Sequence, residues 1–360
     1  MRFPITRHES DMTQENRPSA TSSPRVTLRD IANEMGVSHV TVSKALRGLS
    51  GVSESLRKRI QQKAEQMQYT PDPMLASLSR YRFTKQDNPI HSELAWINTW
   101  RHPDRIQEHK EFTLYWEGAK EGARRLGYRL QTFHTAEVSP KRLKEILDTR
   151  NIRGVLLPPE RGQSEALQPF NWSDYALVRF GQSHNRPKIH SVGSAQFSNT
   201  VLAYEKAREL GYRRIGFVCE YRPLRLFGAG YEWAQKTAPK GQQIPLLAFP
   251  PSAPFEKQQD ALQKWLTKNG PDAILTDNSE TLSMLQNLGY RIPQDIGLAT
   301  TSIHDTVIDT GIDQCPYEIG RAAVRMLTAL IAEKSFGIPS SHNDSLIEGK
   351  WVQGAMLPPR

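Results

Sequence analysis

Cysteine is nearly absent from the sequence. Cys219 and Cys315 are the only two, far apart and outside any Cys-x-x-Cys or Cys/His spacing. That excludes a disulfide framework or a thiolate zinc cluster, and two reduced thiols in a cytoplasmic protein are the reading. No run approaches the roughly 18 consecutive apolar residues of a spanning helix. The first 25 residues, MRFPITRHESDMTQENRPSATSSPR, lack the apolar stretch of a secretory signal and read as a polar, disordered tail. The ten histidines show no metal-ligand spacing. Neither a Gly-x-Ser-x-Gly elbow nor a phosphate loop occurs. Gly228-Ala229-Gly230 lacks both the third glycine and the preceding strand of a dinucleotide fingerprint. Asp305, Asp309 and Asp313 cluster along the chain and read as acids that solvate or cap a loop. No metal, no cofactor and no enzymatic activity are therefore expected.

What is present is a chain of 360 residues, 38% hydrophobic and 24% charged, a composition that suits two or three globular domains. Its net charge of +9 is unevenly spread. Residues 25–85 carry 11 Lys and Arg against 5 Asp and Glu, whereas residues 86–360 carry 33 against 30. A small basic segment on a nearly neutral body points to one element that meets a polyanion. A membrane surface is the other polyanion to weigh, but residues 25–70 show no long helix with a wide apolar face.

The basic segment has the pattern of three short helices. Thr27 followed by Asp30 approximates a capping box, so a helix begins there and stops near Gly36. Ser38 caps a second helix, in which Val42, Ala45 and Leu46 share a face. After Gly48 and Gly51, Ser53 caps a third helix, with Leu56, Ile60, Ala64 and Met67 at helical spacing. This is a helix-turn-helix layout. The second helix leaves Ser38, His39, Thr41, Ser43 and Lys44 outside, none of them acidic. Such a face suits the major groove, where each base pair shows its own donors and acceptors. It is equally the solvated face of a plain three-helix bundle, and the pattern alone leaves both readings open.

The run from Thr27 to Leu78 resembles the headpiece and hinge of the lactose-repressor family of bacterial regulators. The matching elements are Thr27-Leu28-x-Asp30-Ile31-Ala32, Gly36-Val37-Ser38, Thr41-Val42-Ser43, Val52-Ser53, Arg57, Tyr69-x-Pro71 and Leu78. The resemblance implies base contacts from His39, Val40 and Lys44. It implies backbone contacts from Thr27, Ser38, Thr41, Ser43, Ser53 and Arg57, which position the protein while the base contacts specify sequence. Arg47 stands where the family commonly has Asn and is assigned to the DNA backbone or a guanine. Residues 71–92 would be hinge helix and linker, with Leu78 as the minor-groove wedge that kinks the duplex. The alternative is that Leu75 and Leu78 merely pack the linker against the core.

From about Glu93 the pattern alternates between strands and helices. Leu126-Gly127-Tyr128-Arg129, Leu210-Gly211-Tyr212-Arg213 and Leu288-Gly289-Tyr290-Arg291 repeat one signature, a helix ending at a glycine suited to the left-handed cap. Arg129–Phe133, Arg214–Val218, Val155–Leu157 and Ala273–Leu275 read as strands of parallel sheets covered on both faces. The family resemblance extends here more loosely. It implies a bilobed α/β core like periplasmic binding proteins, two doubly wound parallel sheets behind an all-α headpiece (residues 26–70). The first lobe would hold residues 93–190 and 316–344, the second residues 191–315 and 345–360.

In such a core an effector sits in the cleft at the carboxyl ends of the strands. Asn98, Thr99, Trp100, Arg225 and Asn278 are the candidate effector contacts, Trp100 by stacking on a ring. Family positions that hold a sugar-gripping acid carry Thr301, Ser302 and Ile303 instead, and the usual arginine falls on Phe227, with Arg225 nearby. The expectation is a DNA-binding regulator, by family default a repressor, that holds a near-palindromic double-stranded operator as a homodimer. A small molecule, a sugar or related metabolite, would set its affinity. No leucine heptad follows the last strand, so a dimer is expected rather than a tetramer. It would be cytoplasmic, on the nucleoid when bound. The competing readings are a regulator without ligand control and a small-solute-binding protein, the latter disfavoured by the basic headpiece.

Overall fold

The computed structural model describes residues 26–46, 51–69, 92–159, 170–181, 188–220, 226–250 and 252–360. The chain divides into two units, residues 1–82 and 83–360, and each is described by itself.

The first unit contains helices α1 (Leu28–Met35), α2 (His39–Leu46) and α3 (Glu54–Gln66). A full capping box starts α1. The Asp30 amide donates to the Thr27 hydroxyl at 3.4 Å, and the Asp30 carboxylate accepts the Thr27 amide at 2.7 Å. Gly36, at φ 65°, takes the left-handed cap that a side chain would disfavour. Ser38 caps α2 as expected, accepting the Thr41 amide at 3.0 Å. Ser53 departs from expectation. It stands at the N-cap position of α3 but makes no side-chain cap bond, and its hydroxyl lies 3.4 Å from that of Ser55. Ile31, Ala32, Val42, Ala45, Ile60 and Ala64 form one small buried core. At about 1.5–3 kcal/mol per large side chain buried, that core alone is thin, as befits a domain of this size.

The second unit is two doubly wound lobes. The first lobe holds β1 (Ser92–Asn98), α4 (Lys110–Arg125), β2 (Tyr128–His134), α5 (Pro140–Thr149), β3 (Gly154–Leu157), β4 (Ala176–Phe180) and β5 (His190–Ser194). The chain then enters the second lobe through α6 (Gln196–Glu209), β6 (Ile215–Glu220), α7 (Phe227–Ala234), β7 (Leu247–Phe249), α8 (Phe255–Asn269), β8 (Ala273–Thr276), α9 (Thr281–Asn287), β9 (Gly297–Thr300) and β10 (Gly311–Asp313). It returns through α10 (Pro316–Ala332) and β11 (Asp344–Ile347) to the first lobe, and ends in the second with β12 (Lys350–Val352).

The first sheet runs β11-β5-β4-β3-β1-β2, all parallel. The second runs β12-β10-β9-β8-β6-β7, parallel except for the β10–β12 edge. Strand alternation sorts Leu94 and Trp96 toward α4 and α10, and Ala95 and Ile97 toward α5. In the second sheet Ile215 and Phe217 meet α6 and α7, while Val218 and Ile274 meet α8 and α9. Gly127, Gly211 and Gly289 all have positive φ, the conformation read from the repeated Leu-Gly-Tyr-Arg signature. The lobe changeovers fall a few residues later than expected. Residues 191–194 and 345–347 belong to the first sheet, because β5 pairs with β4 and β11 adds outside β5 before the chain crosses.

Candidate functional site

In the headpiece, α2 turns Val42 and Ala45 into the core and leaves His39, Val40 and Lys44 exposed. Val40 is 49% exposed, an apolar group that packing in this unit does not require. Ser38, Thr27 and Ser53 are also exposed; Thr41, Ser43 and Arg57 are half-buried. Three assigned hydroxyls are already engaged. Thr27 donates to Asp30 at 2.8 Å, and the hydroxyls of Ser38 and Thr41 lie 2.8 Å apart. Those bonds fix the start of each helix and present the backbone amides there. Asp30 is held below the usual carboxylate range, first by the Thr27 hydroxyl and then by the Thr27 amide. α2 itself carries Lys44 and no acid. Arg47 and Leu78 lie outside the described residues.

In the core, the carboxyl end of the second sheet meets the start of α4, which follows the carboxyl end of β1. Two of the proposed effector residues already have protein partners for their side chains. Asn98 accepts the Trp100 amide at 3.0 Å and donates to the Pro103 carbonyl at 3.2 Å. Asn278 accepts the Glu280 amide at 2.8 Å and donates to Gln258 at 3.0 Å. Trp100 is buried. Its indole N–H donates to the Pro159 carbonyl at 2.8 Å, and its ring makes edge contacts with His109 and Phe112 at 5.9 and 6.0 Å. Thr99 is half-buried beside them, and Arg225 lies outside the described residues. Phe227 is a core residue, so the position where the family has its arginine is here turned inward.

Sequence reasoning passed over several groups that the fold collects here. Glu111, in the first turn of α4, accepts the Tyr115 hydroxyl at 2.6 Å and the Ser302 hydroxyl at 3.2 Å, so it bridges the two lobes. Asp305, read only as a loop acid, accepts the Lys110 amide at 2.7 Å across the same boundary. His304 and Asp313 pair at 2.8 Å. Glu220 and Asp277 end β6 and follow β8, and the Glu220 amide donates to the Asp277 carboxylate at 3.0 Å. Their positions directly after strands were the signal available in the sequence. Among the described residues, no group of three His, Cys, Asp or Glu could hold a metal, and no helix is long and apolar enough to cross a membrane.

A three-helix headpiece with a basic, acid-free second helix, ahead of a bilobed α/β core, defines a DNA-binding transcription regulator. Residues 27–72 match the model of bacterial regulatory proteins of the lacI family, and residues 204–352 match that of the periplasmic binding protein-like domain. The chain thus carries a lacI-family headpiece followed by a periplasmic binding protein-like domain. It is 23% identical over 333 residues to the HTH-type transcriptional repressor PurR of Haemophilus influenzae (strain PittEE), covering 87% of this chain and 93% of the relative. It is 26% identical over 322 residues to the repressor CytR of Escherichia coli K12, covering 84% and 88%. Among solved structures, the regulator CelR in complex with cellobiose has a similar fold, with a TM-score of 0.54 at 17% identity over 92% of this chain and all of that one. The lac repressor dimer bound to operator has a TM-score of 0.50 at 19% identity, covering 93% and 99%.

Proposed function

We propose that this regulator is a repressor that binds a near-palindromic operator as a homodimer, through α2 in the major groove. The observation that carries it is the exposed trio His39, Val40 and Lys44 on a helix whose other face is the headpiece core. Val40 suits a thymine methyl, and Lys44 suits a guanine edge. Ser38, Thr41, Ser43, Ser53, Arg57, Thr27 and Arg47 would hold the phosphates, and Leu78 would wedge the minor groove where two hinges meet. The protein would act in the cytoplasm and carry no catalytic activity.

The cleft would take a small effector that shifts operator affinity, with Asn98, Thr99, Trp100, Arg225 and Asn278 as its first candidates. A polyhydroxylated ligand is supported by the cellobiose held in the similar CelR fold. A second reading, regulation without a ligand, is favoured by Asn98 and Asn278 being engaged locally and by Thr301 and Ser302 standing where the family has acids.

Selection of binding sites from a random duplex library, followed by a salt series on the best site, tests the proposal. An enriched inverted repeat with a steep negative salt slope is expected. Salt-sensitive binding without sequence enrichment would overturn the base-reading assignment. Thermal shift against a metabolite panel separates the two readings of the cleft, since a bound ligand raises the melting temperature.

A further inference from the structure

Between β9 and β10 the second lobe extends a loop, residues 301–310, whose contacts go in two directions. Toward its own lobe, the Ile303 amide donates to the Ile312 carbonyl at 3.1 Å, and His304 meets Asp313. Toward the other lobe, Ser302 donates to Glu111, and the Asp305 carboxylate lies over the first turn of α4. One Asp305 oxygen accepts the Lys110 amide at 2.7 Å and sits 3.4 Å from the Glu111 amide; the other is 3.6 Å from Nδ1 of His109.

A helix start leaves its first amides without intrahelical partners, and an oxygen acceptor close to the start normally satisfies them. The residue at the N-cap of α4 is His109, which makes no side-chain cap bond. The acceptor is instead borrowed from the opposite lobe, and it is a carboxylate placed where the helix dipole favours negative charge. We propose that the 301–310 loop is a clasp: Asp305 caps α4 only when the lobes are closed, so the ligand-free core holds itself shut. An entering effector must release this cap. That last step rests on the reading of the cleft as an effector site; the clasp itself does not.

The geometry allows a specific test. Lys110 is the first helical residue, where proline is tolerated, and His109 has the extended φ/ψ (−100°, 107°) that a following proline requires. Lys110→Pro therefore removes the 2.7 Å donor and keeps the helix, while Lys110→Ala keeps the donor and removes the charged side chain. Spin labels at Lys141→Cys and Lys257→Cys, exposed residues in the first turns of α5 and α8, report the lobe separation, since the native Cys219 and Cys315 are buried. Unlabelled chain in excess restricts the measured distances to one molecule.

Electron–electron resonance on the ligand-free full chain should give one narrow distance in the wild type and in Lys110→Ala. Asp305→Ala and Lys110→Pro should each add a longer distance, with the closed-to-open ratio falling about tenfold, the worth of one charge-assisted hydrogen bond. Combining the two should open the lobes no further. Identical distributions in all four proteins would overturn the clasp. If Asp305→Ala fails to fold by circular dichroism, the comparison of Lys110→Pro with Lys110→Ala decides alone. A panel in which no metabolite binds would sink the effector reading and leave the distance result standing.

Discussion

Gly118 and Tyr317 meet backbone to backbone where α4 crosses α10, with no room for a methyl group between Gly118 and the Tyr317 carbonyl. Gly320 lies as close to the Tyr115 carbonyl on the return side of the crossing. The two helices that cover one face of the first sheet are thus packed through glycine, and α4 carries that register to its N-terminus beside Asp305.

This crossing predicts opposite outcomes for two glycines one turn apart. Gly118→Ala forces backbone apart and should destabilise the core by about 1–3 kcal/mol. A methyl group added at Gly122 would lie 3.4 Å from the Arg321 Cα, an ordinary contact. Gly122→Ala should therefore gain helix propensity, up to about 1 kcal/mol. Denaturant melts of both variants check this, and equal effects would contradict the packing described.

Lys44→Ala should cost about 1–3 kcal/mol at one base pair of the selected operator and relax the preference there. Binding isotherms on an operator series with single substitutions are the measurement. A uniform loss across all sequences, with the salt slope reduced by about one, would make Lys44 a phosphate contact instead.

His190 supplies a pH dependence. Its Nδ1 accepts the Asn343 amide at 3.1 Å, next to the β5–β11 pairing, which requires the neutral ring. Burial first, and then the neighbouring His342, hold its pKa below the ordinary 6.5, partly offset by Asp344. Below that value the unfolded chain binds a proton that the folded chain refuses, so stability should fall as pH drops under about 6.5. His190→Gln keeps an acceptor without titrating. The wild type should lose melting temperature between pH 7.5 and 5.5 relative to this variant, and parallel curves would refute the assignment.

Asn199 ties two of the lobe crossings together. Its amide donates to the Ser194 hydroxyl at 2.8 Å, and its oxygen accepts the Gly349 amide at 2.7 Å. Asn199→Ala removes the acceptor of the half-buried Gly349 amide and should cost about 1 kcal/mol. A melting temperature within error of the wild type would show that water replaces the side chain without penalty.

The headpiece was legible because its signals are local: the capping box at Thr27, the glycine at 36 and the apolar spacing of α2 are read within a turn or two of the chain. The doubly wound lobes were legible for the same reason, through the repeated helix-end signature. The cleft was not. Glu111 and Ser302 lie far apart in sequence and meet only because two lobes close, and Asp305 looks like any loop acid until α4 is placed beneath it. Asn98 ends β1 and Asn278 follows β8, where an Asx side chain bonds its own turn as readily as a ligand. The edge strand β11 is hard to place from sequence because a one-sided edge carries a weaker apolar pattern than a central strand; it alternates exposed and half-buried residues.

The threefold crossing between lobes also orders events during synthesis. The first lobe cannot be finished when its first five strands have left the ribosome, because α10 and β11 arrive only after the whole of β6–β10. Until then Leu94, Trp96 and Val178 have no α10 above them, and the β5 edge is unpaired. The second lobe is nearly complete by residue 313 and lacks only its antiparallel edge strand, β12, and the segment after it. It therefore has the materials to fold first, although it begins second. A nascent chain halted near residue 315 would expose the half-built first lobe to chaperones and proteases.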